Sequence, residues 1–144
     1  MDELLPQDLP AVRTQADLDA LWRRLMGPLG FGYPRLYVVF IPPDGRCLPH
    51  ITEVSDLSDL PDPLMIHNLL GICATLLDRT LPTGSRVAFL HARPGGRGIT
   101  AADRAWGAAL LAAADDACVP VWPVHLANDH ELRVLAPDDL AEPA

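Results

Sequence analysis

The amino-acid sequence predicts one α/β (α+β) domain, a mixed central sheet flanked by helices, with elements in the order αββαβαββ. Three observations lead there. Two runs, 35–41 and 86–90, are dense in β-branched and aromatic residues and read as buried strands. Three stretches repeat apolar residues at helical spacing. Helices fall between strands, which requires at least one parallel crossover, while an Asp-Gly turn calls for an antiparallel hairpin.

Residues 1–12 are acidic and broken by proline, and read as a flexible N-terminal arm to a single domain spanning 13–136. Thr14-Gln-Ala-Asp17 starts the first helix, with threonine as cap and aspartate in the first turn. Leu18, Leu21, Trp22, Leu25 and Met26 form its apolar face, and Gly27-Pro28 with Gly30 ends it. After the strand 35–41, Pro42-Pro-Asp-Gly45 makes a tight turn. The return strand runs from Arg46 to about Val54, weakened by Pro49 and so suited to an edge. An acidic loop leads to the second helix, 63–80, whose apolar face is Ile66, Leu69, Leu70, Cys73, Leu76 and Leu77. Gly71 weakens that helix and suggests close packing there. The strand 86–91 passes through a glycine-rich loop into a third helix beginning at Thr100, with Trp106, Leu110, Ala113 and Ala117 on one face. Residues 119–126 read as a strand interrupted by Pro120 and Pro123, Asn128-Asp129 as a turn, and 131–135 as a last strand. Residues 137–144 form an acidic C-terminal tail.

With 144 residues, about half of them apolar, the chain can bury a real core. No apolar run approaches the ~20 residues of a membrane span. The opening Met1-Asp-Glu-Leu-Leu-Pro is acidic and unlike a signal peptide, so the cytoplasm is the expected location and no membrane is expected as a partner. The formal charge of −8 would repel nucleic acid. Cys47, Cys73 and Cys118 are widely spaced and odd in number, which fits reduced, mostly buried thiols better than disulfides or a zinc knuckle.

The strongest chemical signal is His91-Ala-Arg-Pro-Gly-Gly-Arg-Gly-Ile-Thr-Ala-Ala-Asp103. A strand ending in histidine, a Pro/Gly loop and a helix with an early aspartate together have the shape of a metal site. The segment resembles the signature of the JAMM (MPN) metalloprotease fold, in particular its bacterial RadC-like branch: His-x-His-Pro, then Ser-x-x-Asp. In that family the two histidines and the aspartate hold zinc, and a glutamate on an earlier strand is the general base. His91 matches the first histidine, Arg93 replaces the second, Pro94 matches, and Thr100-Ala-Ala-Asp103 stands for Ser-x-x-Asp. The resemblance covers 33–135 and implies an MPN/cytidine-deaminase-like architecture. His125 resembles the family's late histidine, with Val124 where an acidic residue would precede it. For the general base, either Glu53 or His50 can be aligned; alternation lets only one of them face the pocket.

A guanidinium has no lone pair to give zinc, and its charge repels the ion and favours pairing with Asp103. The expectation is therefore a non-catalytic domain, a pseudoenzyme without zinc or other cofactor, that binds a protein partner or itself as a homodimer. The enzymatic alternative is a divergent zinc metallopeptidase or isopeptidase using His91, Asp103 and a recruited His125 or His50. A third reading makes the loop Arg93, Gly95, Gly96, Arg97 and Gly98 a small-anion site, its N–H groups and the following helix N-terminus facing the ligand.

Each residue also has a structural reading. Thr100 and Asp103 form a capping-box variant, as Thr14 and Asp17 do. His91 can be a half-buried hydrogen-bonded residue, and His67 a packing or surface residue. His50, His125 and His130 lie near turns or strand ends. Trp22, Trp106 and Trp122 suit a core or an interface. A deaminase is opposed by the lack of His-x-Glu and Pro-Cys-x-x-Cys. A serine hydrolase lacks its Gly-x-Ser-x-Gly elbow.

Overall fold

The computed structural model describes residues 11–26, 32–46, 51–55, 57–96 and 98–135. Its elements are α1 (Gln15–Met26), β1 (Arg35–Ile41), β2 (Thr52–Val54), α2 (Pro63–Arg79), β3 (Arg86–Ala92), α3 (Ala101–Asp116), β4 (His125–Ala127) and β5 (Leu132–Val134). They form a mixed α/β fold of three helices and one open five-stranded sheet, ordered β2-β1-β3-β4-β5. β1 pairs antiparallel with β2 and β3, β3 pairs parallel with β4 across the α3 crossover, and β4 pairs antiparallel with β5.

The sheet is buried on both faces because β3, at its centre, is apolar at consecutive positions rather than alternating. Ala88, Leu90 and Ala92 join Val39, Ile41 and Ala127 under Leu18, Leu21 and Trp22 of α1. Val87 and Phe89 join Leu36, Val38 and Leu126 on the opposite face, covered by Ile66, Leu70 and Cys73 of α2 and Trp106, Leu110 and Ala114 of α3. Each of these large side chains contributes about 1.5–3 kcal/mol on leaving water. Among the described residues, no helix is long and apolar enough to cross a membrane.

Several expectations change. The return strand is shorter, since only Thr52, Glu53 and Val54 pair with β1. Arg46 instead turns its N–H to Asp44 Oδ1 at 2.9 Å, while 47–50, with Cys47, Pro49 and His50, lie outside the described residues. The expected strand 119–126 is reduced to an isolated bridge between Val87 and Val121, followed by β4. Pro120 and Pro123 have no N–H for a ladder. Val12, placed by sequence in the arm, is buried against α1 and hydrogen-bonds from its N–H to Gly45 O at 2.7 Å. Cys118 is exposed, unlike buried Cys73. Gly71 is exposed, and among the described residues a Cβ there would meet nothing within 4 Å, so no contact with them requires the glycine.

Candidate functional site

The site is the junction of β3 with the loop that enters α3. Thr100 caps α3: its hydroxyl accepts from the Asp103 N–H at 3.1 Å, and Asp103 Oδ2 accepts from the Thr100 N–H at 2.9 Å. This reciprocal capping box pulls the Asp103 carboxylate back over the helix start, where no part of it is solvent-exposed.

Arg93 meets it there as a two-pronged ion pair. Its Nε donates to Asp103 Oδ1 at 2.8 Å and an Nη to Oδ2 at 2.9 Å. The rest of the guanidinium organises the loop, donating to the carbonyls of Pro94, Gly96 and Gly98 at 3.1–3.4 Å. Gly95 and Gly98 adopt φ of +118° and +93°, conformations that let the loop curl around the arginine. Burial alone would raise the Asp103 carboxyl, but the hydrogen bonds from Arg93 and Thr100 outweigh it and hold the group below the usual carboxylate range. The pairing with Asp103 raises Arg93 in turn.

His91, on the same face, is 4% exposed and stacks on Trp106 with ring centroids 5.2 Å apart. Burial pushes its pKa down to about 4, the Asp103 carboxylate opposing and the Arg93 charge adding to the effect. The ring is therefore neutral at pH 7, and its Nδ1, 3.8 Å from Asp103 Oδ1, forms neither an ion pair nor a hydrogen bond with it. Trp106 is held by its indole N–H, which donates to the carbonyls of Ser58 and Asp59.

The other candidates are carried elsewhere by the register. His125 pairs with Leu90 and Val134, whereas Leu126 pairs with His91. Residues opposite each other on neighbouring strands share a face. His125 therefore lies on the α1 face, across the sheet from His91. It is buried there, its Nδ1 set against Pro123 O at 3.3 Å, and burial lowers its pKa. Glu53 pairs with Tyr37, also on the α1 face, and bonds Arg35 at 3.1 Å. Thr52 and Val54 share the face of His91, so Glu53 cannot be a general base for that pocket. His50 and Arg97 lie outside the described residues. His67 is exposed on α2, and His130 is exposed in the last turn. Trp22 extends from α1 into the core, and Trp122 lies at its edge beneath the Arg86 guanidinium.

The described residues, which do not include His50, do not fit a catalytic zinc. Three lone-pair ligands must converge with one position open. Here both Asp103 oxygens accept from Arg93, His125 and Glu53 are behind the sheet, and a cation stands beside His91. Among the described residues, no three His, Cys, Asp or Glu side chains gather as a metal-holding group.

The glycine loop binds carboxylates, but they are the protein's own. Gly95 N–H donates to Asp129 Oδ2 at 2.8 Å and Gly98 N–H to Glu131 Oε2 at 2.7 Å. Asn128, fully buried, fixes the partner turn by accepting from the N–H groups of His130 and Glu131. These donors are thus already engaged, which opposes a site for an external anion. The sequence reads Asn128-Asp129 only as a turn and Glu131 only as the start of the last strand. The Asx-turn chemistry of Asn-Asp was the available signal.

The chain matches no protein-family model, and no curated protein is significantly similar to it.

Proposed function

We propose that this protein is a non-catalytic, RadC-like member of the JAMM/MPN fold that serves as a protein-interaction or dimerisation module. The two-pronged Arg93–Asp103 pair carries the reading. It satisfies the carboxylate that the resemblance would assign to zinc and fills the second ligand position with a permanent cation. A buried pair of this kind resists opening, because either partner alone would be left as an uncompensated charge. The site then works as a brace for the β3–α3 junction. The neutral His91 stack and the clamp from Asn128, Asp129 and Glu131 serve the same end.

The test is zinc titration of the purified chain, read by calorimetry and by elemental analysis after dialysis. No stoichiometric zinc is expected. One zinc per chain, lost in both His91→Ala and Asp103→Ala, would overturn the proposal. Chelator-sensitive cleavage of a peptide or isopeptide would instead establish the metallopeptidase alternative.

A further inference from the structure

The two faces of the sheet are covered unequally. α2 and α3 lie over one of them. Over the other, among the described residues, lie only α1 and Val12, with Trp122 at the edge. The polar atoms beneath these covers differ as well. Under α3 the Trp106 indole N–H has two carbonyl acceptors, those of Ser58 and Asp59. On the α1 side Trp22 Nε1, Trp122 Nε1 and His125 Nε2 are all buried without a hydrogen-bond partner in the chain. Docking α1 takes these groups out of water and gives them no bond in return, so apolar contact alone must hold the cover down. Arg23 adds one long tie, its Nη2 reaching Leu132 O at 3.5 Å, while the Val12 N–H bonds Gly45 O at 2.7 Å and tethers the chain ahead of the helix. A helix of 12 residues is marginal by itself, so α1 melts when it leaves the sheet.

We infer that α1 is a releasable cover, opening as a unit from a sheet that α2 and α3 keep folded, and that His125 is the acid trigger of its release. His125 lies under α1, 1% exposed. Its Nδ1 donates to Pro123 O at 3.3 Å, which leaves Nε2 as the nitrogen that takes up a proton. A proton placed there has no acceptor. Leu90 of β3 and Val134 of β5 flank the ring and carry no charge. Asp19 and Arg23 of α1 are paired with each other at 3.0 Å. Arg86, at the start of β3, is turned to Trp122 and to Val121 O. Farther along the same face Arg35 is engaged with Tyr37 and Glu53.

Burial disfavours the charged ring, and this outweighs the Pro123 carbonyl and the Asp19 charge, which favour it. The docked ring therefore stays neutral as pH begins to fall, while the undocked ring, in water, titrates at about 6.5. Over the range in which only the undocked ring is charged, each pH unit below that value shifts the equilibrium about tenfold toward the open form.

Native-state hydrogen exchange of the full chain, resolved by NMR and expressed as protection factors, tests this. At pH 7 the amides of residues 18–26 should exchange through an opening that leaves β3 and α3 closed, with protection lower than theirs by about tenfold or more. Between pH 7 and pH 5.5 the α1 opening constant should rise about eightfold. In His125→Leu, which has nothing to titrate, that rise should vanish. A merely structural role for His125 would instead shift α1 protection equally at both pH values. Exchange of α1 only together with β3 and α3, in one global event, overturns the inference and is seen in the wild type without any variant. A rise that is absent from the wild type, or that survives in His125→Leu, overturns the trigger.

Discussion

Replacing Arg93 with methionine retains an unbranched side chain and removes every guanidinium donor. Asp103, fully buried, would keep the Thr100 N–H and lose both hydrogen bonds from its one charged partner. Two charge-assisted hydrogen bonds at about 1.5–3 kcal/mol each, or one broken buried ion pair at about 3–5, give the same range. The Arg93 side chain retains 13% exposure, and the solvent it meets places the loss near the low end, about 3 kcal/mol. That corresponds to a fall in Tm of roughly 6–12 °C.

The pH dependence is the sharper readout. In the wild type the Asp103 carboxyl titrates below its unfolded value, so its contribution is full above about pH 4 and is lost as acid protonates the folded form. In Arg93→Met, burial is opposed by the Thr100 hydrogen bonds alone, and the carboxyl rises from its wild-type position. The folded variant then takes up a proton more readily than the folded wild type, and the gap between them should narrow from pH 7 to pH 4. Urea denaturation at both pH values measures this. A loss under about 1 kcal/mol, or a gap that stays constant on acidification, would refute the argument. Arg93→Met combined with Asp103→Leu should recover most of the loss, because no unpaired charge remains.

Three further outcomes follow from the same geometry. The His91 pKa of about 4 lies below its unfolded value, so its contribution is present above about pH 6.5 and lost as pH falls toward 4. His91→Phe keeps the stack on Trp106 and should lose about 2 kcal/mol less than wild type between pH 7 and pH 5; parallel stability curves would count against a neutral buried ring. Thr100→Ala removes one half of the capping box and should cost about 1 kcal/mol by urea denaturation. Asn128→Ala leaves two N–H groups without their acceptor and should cost about 2 kcal/mol. Amide exchange at Gly95 and Gly98 should then accelerate as their clamp loosens, and unchanged exchange would show that Asp129 and Glu131 hold the loop without Asn128.

Which side chains can gather at the site follows from the side of the sheet each residue occupies. Had His125 faced α3, it would have stood on the same side as His91 and Asp103, and a recruited ligand set would have been available. Pairing with Leu90 rather than His91 places it behind the sheet, and a one-residue change in register would reverse that.

β1, α2, α3 and the α3 cap could be read from the residues alone, whereas the extents of β2 and β4 could not. Run-length and β-branching fixed β1 at 35–41, apolar spacing fixed α2 and α3, and Thr100 with Asp103 announced the helix start, because these signals act within a few residues along the chain. The same local chemistry led to the pairing of Arg93 with the Asp103 carboxylate. Only the tertiary structure decided which face Glu53 and His125 occupy, since a strand's side chains alternate and the choice belongs to its partners. Only it brought the turn at 128–131 onto the glycine loop, more than thirty residues away. Contacts between distant segments depend on how packed layers stack, and no residue's own neighbours along the chain carry that information.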